Sequence, residues 1–154
     1  MSKEEHKDKT LEQIADLLGI GVFETHLFLC TGPDCCTSEE GLAAWQAVKR
    51  AVKELNPNLR ESRVYRTKVN CLRVCKGGPI AVAYPQGKWF HSVTEANAPG
   101  IVAHLQSGAR GRHPLEFAVH PLTGERLPGE PLPGEPPRGH ALPSQALPGG
   151  DTAD

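Results

Sequence analysis

A chain of 154 residues with 17 lysines and arginines against 18 aspartates and glutamates carries a formal net charge of −1. That balance excludes a protein built to coat nucleic acid or an anionic membrane, either of which needs a strong positive excess. No apolar run approaches the ~18 residues of a spanning helix, and the polar start MSKEEHKDKT lacks an apolar signal-peptide core. A cytoplasmic protein is expected, with no membrane or nucleic-acid partner, in a compartment where thiols stay reduced.

Residues 1–22 read as a charged leader followed by a short amphipathic helix. Thr10 and Gln13 form a capping box, Leu11, Ile14, Leu17 and Leu18 share a face, and Gly19 suits a left-handed stop. These apolar residues are expected to bury against the main domain or a partner. Thr25 to Cys30 is an apolar β-like run with a cysteine at its end, and the TGPDCC after it has the residues of a turn. Thr37 and Glu40 open a helix from Ser38 to Leu55. Leu42, Trp45, Val48, Val52 and Leu55 form its expected apolar stripe, and Asn56-Pro57-Asn58 stops it.

Arg63 to Val69 reads as a strand, with Tyr65, Thr67 and Val69 on one face. A cysteine-bearing loop follows, and Ile80 to Tyr84 resumes as a strand. Pro85-Gln86-Gly87 is a turn, and Lys88 to Val93 the last expected strand. Asn97 or Thr94 caps a final helix that ends near Ser107-Gly108, with Pro99 in its first turn. The main domain is therefore set at residues 23–108. Residues 109–122 form an extension packed on it, in which Leu115 to Val119 is a short segment. Nine of the 14 prolines lie beyond Gly108. Residues 123–154 are accordingly expected to be a Pro/Gly-rich disordered tail that cannot bury enough apolar area to order itself.

All five cysteines fall in two segments, LCTGPDCCTSEEG and TKVNCLRVCKGGP. Cys30 and Cys35 straddle one turn, and Cys71 and Cys75 the other. Brought together by a fold, the two pairs make a four-thiolate site. Spacing alone leaves two choices open, one zinc ion or two tetrahedral irons bridged by sulfide. It also leaves open whether Cys35 or its neighbour Cys36 ligates. Gly77 and Gly78 carry no Cβ, so their backbone can come close to a cluster and donate N–H bonds to sulfur.

The pair C-x4-C after the first strand, the C-x3-C followed by GGP, and the hairpin IAVAYPQGKWF together resemble the thioredoxin-like [2Fe–2S] ferredoxins. They are similar also to the small iron–sulfur subunit of the flavin module of respiratory complex I. The resemblance runs from about Glu24 to Gly108. It implies an α/β fold with a thioredoxin-like mixed sheet flanked by helices, and a [2Fe–2S] cluster held by Cys30, Cys35, Cys71 and Cys75. It also implies a homodimer. Cys36 stands as the alternative to Cys35. The function expected is one-electron carriage between redox partners. The alternatives are a zinc-stabilised thioredoxin-like interaction module and a cluster-based redox sensor.

Arg66, Lys68, Arg73 and Lys76 surround the second cysteine pair and are the expected docking surface for an acidic redox partner. The seven histidines show no H-x3-H or HExxH spacing. No GxGxxG, P-loop lysine or serine nucleophile elbow occurs. The chain is therefore read as an electron-transfer protein, able to serve an oxidoreductase as subunit or partner, and not as an enzyme.

Overall fold

The computed structural model describes residues 6–122. The Pro/Gly-rich segment from residue 123, with the expectation attached to it, lies outside the described residues, as do residues 1–5. Helix α1 spans Leu11–Leu17, β1 Thr25–Cys30 and α2 Ser38–Leu55, and a 3-10 turn follows at Leu59–Glu61. Strands β2 (Val64–Val69), β3 (Ala81–Tyr84) and β4 (Lys88–Phe90) precede α3 (Ala98–Gln106) and β5 (Glu116–Val119). The five strands form one mixed sheet in the order β2-β1-β3-β4-β5. Only β1 and β2 run parallel, with Cys30 opposite Val69.

Strand alternation sorts the sheet into two faces. Leu27, Leu29, Ala81, Ala83 and Phe90 form one, and they join Ala44, Val48, Val52, Ile101, Val102 and Leu105 of α2 and α3 in a single buried cluster. His26, Phe28, Tyr65, Tyr84 and Trp89 lie on the other face and are only partly buried. His26 stacks on Phe28 at 4.0 Å, and its Nε2 is 2.8 Å from Thr67 Oγ1.

Both predicted capping boxes form, Thr10 with Gln13 and Thr37 with Glu40. Two expected apolar stripes hold only in part. Val48 and Val52 are buried and Trp45 packs on the core. In α2 the inward face is Gly41, Ala44, Ala47, Val48, Ala51 and Val52, while Leu42 and Leu55 are 44% and 47% exposed. Small residues let the helix lie close to the sheet, and at Gly41 a Cβ would stand 2.6 Å from Thr31 Cα. Leu42 points away from that face, while Leu55 lies on it but at the last residue of the helix, where it is half exposed. In α1 no residue is fully buried, and Leu11 is 81% exposed. The seven-residue helix covers Ile14, Leu17 and, at its C-cap, Leu18 only in part.

The expected last strand, Lys88 to Val93, is shorter than read, and it is followed by another. Residues 116–119, expected to lie on the domain, instead pair antiparallel with β4 as an edge strand. Gly87 adopts φ +63°, and a Cβ there would run into the carbonyl of His120, so the β5 end closes directly over the turn. His120 N–H donates to Gly87 O at 2.8 Å.

Candidate metal centre

The parallel pairing of β1 and β2 places the ends of both strands side by side, and each runs into a cysteine loop. The two loops interlock. Thr31 N–H donates to Val69 O at 2.9 Å, and Cys30 Sγ donates to Asn70 O at 3.3 Å. A Cβ on Gly78 would stand 2.5 Å from Cys35 O and 2.8 Å from Cys35 Cβ. Gly78 is thus where the second loop rests on the first. The missing Cβ lets the second loop lie against the backbone of the other cysteine loop.

All five cysteines are free thiols. Cys30 is buried, Cys35 and Cys36 are partly buried, and Cys71 and Cys75 are exposed. The sulfurs of Cys30 and Cys35 stand 2.8 Å apart, and that of Cys36 lies 3.8 Å from Cys35. Burial, reinforced by hydrogen bonding with Cys30 and Cys36 and by their charge, pushes the Cys35 thiol up to about 12. Burial likewise raises Cys36, although hydrogen bonds with the Cys35 thiol and the Gly41 N–H oppose it. Cys75 is raised by desolvation, by the charge and hydrogen bond of Cys71 and by the Asp34 carboxylate, with Arg73 opposing. A metal ion binding here would have to displace those protons, because the thiolate is the ligand form.

The Arg73 backbone N–H donates to Cys71 Sγ at 3.2 Å. Arg73 adopts φ +65°, a conformation uncommon for a side-chain-bearing residue and often found at functional sites. No N–H of Gly77 or Gly78 bonds a sulfur among the described hydrogen bonds. Gly77 instead offers its carbonyl to Ser92 N–H at 2.7 Å.

Four thiolates on one zinc ion would stand ~3.8 Å apart in every pairing. Among the described residues, one group of three or more ligand atoms lies within 4.8 Å of one another, and it consists of Asp34, Cys71 and Cys75. The four predicted sulfurs therefore do not converge on one point. They fall into two pairs on adjoining loops, and this fits two bridged irons better than one zinc. Asp34 is legible in the sequence only as a turn residue.

The predicted cationic surface is only partly present. Lys68, Arg73 and Lys76 are exposed. Arg66 is partly buried, and its Nε is out of water without a hydrogen-bond partner. Burial pulls its guanidinium below its ordinary range, with Tyr65 opposing. Arg66 shares the helix-side strand face with Leu27, its cross-strand partner, which takes it away from the loop surface.

No helix among the described residues is long and apolar enough to cross a membrane. No protein-family model matches the chain. Over the thioredoxin-like [2Fe–2S] ferredoxin from Aquifex aeolicus the fold superposes with a TM-score of 0.54 at 23% identity, covering 66% of this chain and 97% of that one. Another structure of that ferredoxin, the wild type, gives 0.52 with 62% and 98% covered. These likenesses establish a thioredoxin-like fold. In sequence, the chain is 38% identical over 84 residues to a Priestia megaterium protein assigned as a 2Fe-2S ferredoxin, 54% of this chain and 62% of that one. It thus spans less than two thirds of that relative's length. A match of 30% identity over 88 residues takes in 86% of the 2Fe-2S ferredoxin of Clostridium pasteurianum, and this chain belongs to the [2Fe–2S] ferredoxins.

Proposed function

We propose that the chain binds one [2Fe–2S] cluster through Cys30 and Cys35 on one iron and Cys71 and Cys75 on the other, and carries single electrons between protein partners. The observation that carries this reading is the division of the four sulfurs into two pairs on adjoining loops. When bound, the cluster supplies a one-electron couple. The chain's own residues hold the thiolates, donate the Arg73 N–H to Cys71 and keep Cys30 buried at the end of β1. Cys71 and Cys75 are exposed, so the second pair is the side on which a partner would come within electron-transfer distance. Lys68, Arg73 and Lys76 would steer an acidic partner to it. Such charges also favour the reduced, more negative cluster.

Cys35 rather than Cys36 fills the first pair, because it is the sulfur in contact with Cys30. A cytoplasmic location and a homodimer belong to the same proposal. The partly exposed aromatic face of the sheet is consistent with self-association.

The test is a visible spectrum of anaerobically purified protein, with iron, sulfide and zinc assayed on the same sample. A brown protein bleached by dithionite, holding two irons and two sulfides per chain, is expected. A colourless protein with stoichiometric zinc would overturn the proposal in favour of the zinc-stabilised interaction module. Sedimentation velocity on that sample is expected to give a dimer, and a monomer refutes that part alone.

A further inference from the structure

Each cysteine pair has a third donor beside it. For Cys30 and Cys35 it is Cys36, 3.8 Å from Cys35. For Cys71 and Cys75 it is Asp34, whose carboxylate reaches across from the other loop to within 4.8 Å of both sulfurs. Asp34 is adjacent in sequence to Cys35, yet its ligand atom groups with the pair that comes some forty residues later. None of the ion pairs among the described residues involves Asp34.

We propose that Asp34 is a reserve ligand for the iron held by Cys71 and Cys75, its carboxylate taking the coordination position when either thiolate is lost. This rests on the cluster reading above. Iron accepts carboxylate oxygen as well as thiolate, so the exchange keeps an anionic donor on the metal. The reserve stands where a thiolate is most readily lost. Cys71 and Cys75 are exposed and open to oxidants and alkylating agents, while Cys30 is buried. A carboxylate does not climb the sulfur oxidation ladder, which makes it a durable substitute.

The experiment compares the wild-type chain with Cys75→Ala and Cys71→Ala, each alone and combined with Asp34→Ala. Iron and sulfide content, the visible charge-transfer bands and the electron paramagnetic resonance of the reduced form are read for each. Both single cysteine variants are expected to retain iron and sulfide, with charge-transfer bands displaced to higher energy as oxygen replaces one sulfur. Adding Asp34→Ala should remove the cluster from both. Single variants that lose the cluster outright overturn the proposal, as do double variants that retain it. Cys75→Ala with Cys36→Ala is the competing double variant, and cluster loss there would assign the reserve role to Cys36 instead. A wild-type chain without iron and sulfide would overturn the cluster reading itself, an outcome distinct from any of these.

Discussion

The β4–β5 edge and the cysteine loops both hold polar groups away from bulk water, but they satisfy them differently. At the edge, Lys88 and Glu116 have side chains only 11% and 5% exposed, and they pair at 3.0 Å. The Lys88 ammonium also donates to Gly111 O, and Glu116 accepts the His113 N–H at 3.4 Å. Burial by itself would raise the Glu116 carboxyl, but the Lys88 ammonium and the His113 N–H outweigh it and hold the group below its ordinary value. The Lys88–Glu116 pair is thus satisfied by groups of the chain itself. At the cysteine loops burial and neighbouring sulfurs raise the Cys35 and Cys75 thiols, and the Arg73 guanidinium only partly opposes the rise at Cys75. One region pairs its own charges, and the other holds neutral thiols whose thiolate form a metal would select. Folding energy is therefore expected to concentrate at the first, and function at the second.

Lys88→Met breaks this comparison most severely. It leaves the Glu116 carboxylate buried without its partner, and removing one half of a buried pair costs about 3–5 kcal/mol. Urea unfolding should show a loss of that size, while iron content and visible spectrum of the folded fraction stay as in the wild type. Lys88→Met combined with Glu116→Leu should recover much of the loss, because an apolar pair of similar volume removes the stranded charge. A single variant within about 0.5 kcal/mol of wild type, the range of ordinary surface substitutions, would mean that the edge contributes no such stability.

Gly78→Ala probes the other region. Its Cβ would meet the Cys35 backbone at 2.5 Å, which neither loop can accommodate without moving. Overpacking of this kind costs about 1–3 kcal/mol, and here the strain falls between the two halves of the metal site. Iron release to a chelator should quicken by more than the change in global unfolding explains. Equal iron-release rates in wild type and variant would show that the packing of one loop on the other does not hold the site together.

The sequence disclosed the frame because caps and alternation are local physics. The capping boxes at Thr10 and Thr37, the strand ending on Cys30 and the turn at Gly87 needed only neighbours within four residues. The two cysteine pairs stand out in the sequence because thiols so closely spaced are rare outside metal and disulfide chemistry. What escaped depended on residues far apart in the chain. The outward position of Leu42 follows from the small residues Gly41, Ala44, Ala47 and Ala51 carrying the inward face, with Gly41 lying on Thr31. The fifth strand was missed because EFAV becomes a strand only by pairing with β4. Asp34 looks like a turn residue until the second loop folds beside it. His104 and His113, scattered in sequence, come within 5.4 Å beside the buried ion pair.

The smallest effect on stability is expected where the cations are exposed, and it separates the two regions by function. Arg73 and Lys76 are the same kinds of charge as Lys88, but water already solvates them. Reversing both, Arg73→Glu with Lys76→Glu, should therefore change the unfolding free energy by no more than about 0.5 kcal/mol per site. The consequence belongs to kinetics instead. Charges at the rim of an interface act on encounter rates and are screened over ~8 Å at physiological salt. Electron transfer to an acidic partner should slow at low ionic strength, and its decline with added salt should flatten or invert. An unchanged rate and an unchanged salt slope would dismiss the loop cations as a docking surface. A slower rate that persists in high salt would point to a direct hydrogen bond or ion pair broken inside the docked complex, because steering between exposed charges fades as the screening length shortens.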